Sequence, residues 1–244
     1  MTQPDNHPQP SPAAPAAPKR QFVNFHFFKL DPALRRLDDH TKLIARDEFC
    51  KMVDEPRPGM ICLSYSLAGL KAGADFMLWR ISTELHDFQE QTRRINKSTL
   101  GGYLSTPASY LSMTKRSQYI DPVDPFHTAE SRVNIMPGKR KYLFVYPFVK
   151  TRPWYLLPPE ERQQIMDEHI KVGAAYTSVK LNTTYSFGLD DQDFVVAFET
   201  DEPKDFLDLV QHLRETKSSL YTERDTPMYT CVKTPVAEML DQLF

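Results

Sequence analysis

LSYSLAGLKAGADFMLW, residues 63–79, and TTYSFGLDDQDFVVAF, residues 183–198, are one device written twice. Each joins two runs of aromatic and aliphatic residues through a short polar turn, with Gly69 and Gly73 in the first and LDDQ in the second. Such runs on either side of turn residues predict a β-hairpin. Upstream of the first hairpin, QFVNFHFFKLD alternates like a strand and DPALRRLDDHTKLIARDEFCKMVDE has the spacing of a helix. The hairpin strands are MICLSYSLAG and ADFMLWRIS; TELHDFQEQTRRINKSTLGGYL follows as an amphipathic helix and PASYLSMT as a closing strand. The order is β-α-β-β-α-β.

From Lys141 the order recurs. KYLFVYPFVK is a strand, PPEERQQIMDEHIKVGAAY a helix, LNTTYSFG and DFVVAFETD the hairpin, DEPKDFLDLVQHLRET a helix and MYTCVKT the last strand. Two such units make a tandem ferredoxin-like repeat of the α+β class. Each antiparallel sheet then carries helices on one face and turns the other towards its twin, giving a dimeric-type α+β barrel with a cavity. The divisions expected are a Pro/Ala-rich disordered leader at 1–20, an N-terminal half at 21–115, a connecting loop at 116–140 and a C-terminal half at 141–244. That loop has little periodicity but holds aromatic and basic residues, and is expected to lie over a ligand.

The 244 residues, 41% apolar and 25% charged, suit a globular protein. A net charge of −2 gives no electrostatic case for nucleic acid. No apolar run approaches the ~20 residues of a membrane span. The leader has six prolines in eighteen residues and no apolar signal-peptide core. Cys50, Cys62 and Cys231 are far apart in apolar surroundings, and are expected to be buried free thiols of a cytoplasmic protein. With 8 glycines and no Cys-x-x-Cys, His-Glu-x-x-His or Gly-x-Ser-x-Gly, the usual nucleotide, zinc and serine-hydrolase motifs are missing.

What stands out is YPFVKTRPWYLLPPEERQQIMDEHI, residues 146–170. Ile165, His169, Val172 and Tyr176 follow the spacing of one helix face, so His169 points with apolar residues towards the sheet. A histidine so placed is either a core residue bonded to a carboxylate or carbonyl, or a ligand to a metal or haem iron. In the preceding strand, alternation puts Tyr142, Phe144, Tyr146, Phe148 and Lys150 on one face. Tyr146 and Lys150 would then be roughly 13 Å apart at about 3.3 Å per residue. Pro147 cannot donate to the ladder, so an edge or bulge is expected there. Spacing alone leaves packing and chemistry open for both residues.

The run from YPFVKTRPWYLL to DEHIKVG, followed by NTTYSFGLDDQDFVVAFETDEP and LRETKSSLYTERDTPMYTC, resembles the chlorite dismutase family, and most of all its coproheme decarboxylase branch. The resemblance spans most of residues 21–235. It implies an oxidoreductase, a haem synthase that decarboxylates iron coproporphyrin III (coproheme) to haem b with hydrogen peroxide. It further implies His169 as the iron ligand and Tyr146 as the residue that becomes the radical. Lys150, Arg132 and, less closely, Arg214 match basic residues about the porphyrin. The family also implies a homo-oligomeric ring, most often a pentamer.

The sequence departs from the pattern in places. Chlorite dismutases carry a distal arginine where this chain has Leu181, or Asn182 if the count slips by one. His127 lies in the region of a distal histidine base, but its spacing to Tyr146 does not match. Glu215 is a weak match for a carboxylate supporting His169. A chlorite dismutase-like haem oxidoreductase and a non-enzymatic haem carrier are the alternatives.

Overall fold

The computed structural model describes residues 19–119 and 134–244. Alternation in strand β1 (Phe22–Leu30) sends Val23, Phe25 and Phe27 to one side and Phe28 and Leu30 to the other, and both sides are buried. The remaining strands are β2 (Ile61–Ser66), β3 (Phe76–Ser82), β4 (Leu104–Met113), β5 (Tyr142–Lys150), β6 (Lys180–Tyr185), β7 (Phe194–Thr200), β8 (Thr222–Arg224) and β9 (Tyr229–Lys233). Their order is β7-β6-β4-β1-β3-β2-β9-β5-β8, and β5 also pairs with β7. The sheet therefore closes into a barrel, with β8 as an appendage on β5.

The repeat shows in the register. His26 of β1 pairs with Leu78 of β3, and Tyr146 of β5 pairs with Val196 of β7; Phe28–Phe76 and Phe148–Phe194 follow in the same way. The halves meet along two short seams, Met113 with Tyr185 and Tyr65–Ser66 with Lys233–Val232. Inside the barrel Phe25, Phe27, Tyr65, Trp79, Val145 and Val195 pack together, none more than 1% exposed. Burial of each such side chain stabilises the fold by about 1.5–3 kcal/mol.

The helices lie outside: α1 (Asp39–Asp54), α2 (Leu85–Lys97), α3 (Arg152–Leu156), α4 (Pro159–Ala174), α5 (Pro203–Arg214) and α6 (Val236–Asp241). The single helix expected over 31–55 is broken. A 3-10 turn spans Pro32–Arg36, and α1 starts afresh because Asp38 accepts the Thr41 N–H at 2.9 Å. Proline opens α4 at its first turn, with Glu160 and Glu161 at the positive end of the helix dipole. Helix α6 packs Val236, Met239 and Leu240 into the helix layer of the first half, beside Phe49 and Phe76. Among the described residues no helix is long and apolar enough to cross a membrane.

The two helix layers are unequal. Between α1 and its sheet, Phe28, Leu34, Phe49, Phe76 and Leu78 fill the gap, with Phe49 set edge-on to Phe28 and Phe76. In the second half the buried apolar residues at this level are Tyr146, Phe198, Phe206 and Leu209, flanked by half-buried Phe144, Phe148, Tyr176 and Val196. Of the three thiols, Cys231 is buried as expected, whereas Cys50 and Cys62 are only half-buried; all are free.

Candidate functional site

The expected site residues within the described range sit on the elements that bound the helix–sheet gap of the second half: Tyr146 and Lys150 on β5, His169 on α4 and Arg214 on α5. Residues directly opposite in an antiparallel pair share a face. Phe144, Tyr146 and Phe148 pair with Phe198, Val196 and Phe194 of β7, which pair in turn with Leu181, Thr183 and Tyr185 of β6. All point away from the barrel interior, towards α4 and α5. Tyr146 is 6% exposed, and its ring lies 6.0 Å from Phe198. Burial, reinforced by the charge of Asp225, raises its pKa above the ordinary tyrosine range, so the phenol is neutral.

Pro147 does not break β5 against β7; Tyr146, Pro147 and Phe148 keep continuous register with Val196, Val195 and Phe194. On the other side of β5, pairing with β9 ends at Val145 and pairing with β8 begins at Val149. The proline sits in that interval, where its missing N–H costs no ladder bond. The expected irregularity is instead at Val149–Lys150.

Lys150 is fixed at the end of the strand. Its N–H donates to Asp193 Oδ2 at 2.8 Å, and that carboxylate also accepts the Tyr155 hydroxyl at 2.7 Å. The ammonium donates to the carbonyl and hydroxyl of Ser218, both at 2.8 Å, and lies over the Trp154 and Phe148 rings at 4.7 and 5.4 Å. It is 7% exposed, and burial holds its pKa down to about 8. Phe148 shares the face of Tyr146, so this cation borders the same gap.

His169 is half-buried on α4, four residues after buried Ile165. Burial first, then the positive charge of Lys150, lowers its pKa to about 4, so the imidazole is neutral near pH 7. Its Nδ1 is buried and finds no hydrogen-bond partner among the described residues. A neutral, unpartnered imidazole nitrogen is what a metal ligand offers, and a core histidine satisfied by a carboxylate would not show it. The donor set therefore fits a bound iron porphyrin.

Arg214 closes α5 and is mostly exposed, forming a 3.1 Å ion pair with Asp225. Both charges act on Tyr146, so the pair borders the gap from the solvent side. Glu215 lines a groove of about 480 Å³ between α4 and α5 with Glu168, Val172, Tyr176 and His212, but no hydrogen bond joins it to His169 among the described residues. Arg132 and His127 lie outside the described residues, as does much of the loop expected over the ligand.

The two positions considered for a distal arginine separate by parity. Leu181 is on the face of Tyr146 and 50% exposed. Asn182 faces the barrel interior, donating to the fully buried Glu199 at 2.9 Å. On the rung of Tyr146 itself stands Thr183, across Val196.

Sequence reasoning missed Ser218, Trp154 and Asp193, which fix Lys150. Only Trp154, one of two tryptophans and four residues past Lys150, gave any signal.

A family model described as chlorite dismutase matches residues 42–234. A coproheme decarboxylase of Mycolicibacterium smegmatis is 32% identical over 180 residues, 73% of this chain and 75% of the relative. A coproheme decarboxylase of Staphylococcus carnosus is 28% identical over 205 residues, 77% of this chain and 81% of the relative. Among solved structures, a chlorite dismutase variant of Candidatus Nitrospira defluvii superposes with a TM-score of 0.83 at 28% identity, covering 91% of this chain and 94% of that one.

Proposed function

The chain belongs to the chlorite dismutase family, and from that premise we propose that it decarboxylates iron coproporphyrin III to haem b with hydrogen peroxide as oxidant. What supports this reading is the imidazole of His169, unpartnered at Nδ1 among the described residues and close enough to the buried ammonium of Lys150 for that charge to lower its pKa, on a helix of the layer that covers the face of β5 carrying buried Tyr146.

In this reading His169 holds the iron of the substrate, and the porphyrin iron with peroxide supplies the oxidising power. Lys150 holds a propionate carboxylate by a charge-assisted hydrogen bond, exchanging its contacts with Ser218 for one to the ligand. Arg214 and Arg132 are assigned to further propionates. Tyr146, once oxidised and deprotonated, takes a hydrogen atom from the propionate carbon next to the ring. Loss of CO2 and of a second electron leaves a vinyl group. Each round thus turns one propionate, one hydrogen peroxide and one proton into one vinyl group, one CO2 and two waters, and two rounds give haem b. The neighbours of Tyr146 are apolar, chiefly Phe198 and Phe206, which keeps water from the reacting atoms.

The same reading carries a homo-oligomeric ring of the pentameric kind, a cytoplasmic place, and residues 141–244 as the porphyrin-binding half. The likeness to a chlorite dismutase supports a second reading, a chlorite-decomposing haem oxidoreductase. Leu181, Asn182 and Thr183 speak against it, since none supplies a guanidinium. A haem carrier would have no use for a buried tyrosine beside a propionate-binding lysine. Two parallel assays separate the readings: vinyl formation from coproheme after peroxide supports the first, and oxygen release from chlorite supports the second.

A further inference from the structure

The first half has a cleft of its own, about 730 Å³, between α2 and the outer face of β1 and β4. Arg80 of β3 forms its floor and is 3% exposed. Its Nε and Nη2 donate to Asn24 Oδ1 at 3.0 and 2.6 Å, Nη2 also donates to His26 Nδ1 at 2.7 Å, and Nη1 donates to Thr92 Oγ1 at 3.0 Å. Every one of these acceptors is uncharged. Because His26 accepts at Nδ1, its proton sits on Nε2, which donates to Thr106 Oγ1 at 2.9 Å. Burial and the adjoining guanidinium hold the pKa of that ring down to about 3.

Among the described residues no carboxylate forms an ion pair with Arg80. Asp87 on the neighbouring helix is engaged by Ser82 and Arg57. A buried guanidinium without a counter-charge is rare, since burial of charge is costly unless it is paired. The cleft above it adds positive charge: Arg93 and Lys97 line it, and among the described residues no Asp or Glu does. Arg93 is held by Glu90, whereas Lys97 is exposed and makes no ion pair among the described residues. Leu85 and Phe88 supply an apolar wall, and the guanidinium lies over the Phe88 ring at 5.4 Å. The Nη1 contacts to Phe88 O and Gln91 Oε1 are long, 3.4 and 3.5 Å, and leave that nitrogen the most open to a better acceptor.

We propose that this cleft binds a small amphipathic anion, whose carboxylate or phosphate head replaces the missing counter-charge of Arg80 and whose apolar body rests on Leu85 and Phe88. Lys97 closes over the head from the rim. The size is that of a small-molecule site, with an apolar wall and a few converging polar groups. The inference stands in the other half of the molecule and does not depend on the porphyrin reading.

The test is calorimetric titration of the full chain with octanoate, octyl phosphate and 1-octanol. Both anions are expected to bind, the tighter one identifying the head group, and the alcohol at least about tenfold more weakly. Lys97→Glu, on an exposed helix position, is expected to weaken octanoate about tenfold, with the circular dichroism spectrum unchanged. Arg80→Gln is expected to abolish binding; should that variant fail to fold, Lys97→Glu carries the test. Lys150→Gln is expected to leave octanoate binding intact, which separates this cleft from the gap of the second half. Equal binding of 1-octanol, no binding of either anion, an unchanged affinity in Lys97→Glu, or loss in Lys150→Gln would each overturn the proposal.

Discussion

Tyr146 occupies in the second half the place that His26 occupies in the first: each is the fifth residue of a nine-residue strand, paired with Val196 and Leu78 of its hairpin. The helices above them correspond too. Phe49 and His169 are each the eleventh residue of a sixteen-residue helix, α1 and α4. In the first half Phe49 is fully buried against Phe28 and Phe76 and seals the gap. In the second half an imidazole stands there with a nitrogen unsatisfied. The position that an aromatic plug fills under α1 is thus held under α4 by an imidazole.

Tyr146→Phe removes one hydroxyl from a well-packed ring and should change stability by less than about 1 kcal/mol. Coproheme affinity should be kept, and the proposed role of Tyr146 requires decarboxylation to fall by at least about 100-fold. Binding is read from the absorption titration and turnover from product formation. Wild-type turnover in this variant would remove Tyr146 from the mechanism.

His169→Leu removes a buried nitrogen that has no partner, so the ligand-free protein should gain about 1 kcal/mol in denaturant unfolding. Iron ligation should be lost, seen as a changed ferric absorption spectrum of the coproheme complex. The folded pKa of about 4 lies below the ordinary 6.5, so the unfolded chain binds the proton more tightly. Wild-type stability should therefore drop as pH falls from 6.5 towards 4, and His169→Leu should lessen that drop. An unchanged spectrum would contradict the ligand role.

Lys150 has its pKa lowered from 10.5 to about 8 by burial. The unfolded chain holds this proton more tightly, so the charge costs the ligand-free protein stability below about 8, and the cost fades as pH rises towards 10.5. Lys150→Met should accordingly raise the unfolding temperature at pH 7. The same change should weaken coproheme binding at pH 7 by about tenfold, the worth of a charge-assisted hydrogen bond. Wild-type affinity should fall as pH rises above 8, and the Met variant should be flat there. A pH-independent wild-type affinity would count against a carboxylate at Lys150.

Asn182 and Leu181 test the parity of β6. Asn182→Asp sets a second carboxylate against buried Glu199 and should destabilise by about 3 kcal/mol or more. Leu181→Asp, at a half-exposed site, should change stability by no more than about 1 kcal/mol. Chemical denaturation of both variants reads the difference, and a larger loss in Leu181→Asp than in Asn182→Asp would mean that the strand faces the other way.

The repeat was legible because hairpins and strand alternation are local signals, and the two copies reinforce one another. So was the shared face of Phe144, Tyr146 and Phe148. The break at Asp38 was not, although Asp-x-x-Thr is a capping pattern, because the apolar spacing runs on across it. Nor was the harmless place of Pro147, which depends on β8 and β9 leaving an interval on that side. Helix α6 is too short to stand out, and only its packing against the first half gives it meaning. In the site, His169 carried a weak signal by spacing; the missing partner at Nδ1 and the proximity of Lys150 are three-dimensional facts. Ser218 and Asp193 lie far from Lys150 in sequence and could be found only in the fold.

The most direct test is to load the purified protein with ferric coproporphyrin III, add hydrogen peroxide in steps, and follow the porphyrins by mass spectrometry. Two successive losses are predicted, each of CO2 together with two hydrogens, passing through a three-propionate species and ending at haem b, and neither loss in Tyr146→Phe. Tight binding with no loss of mass at any peroxide level would contradict this.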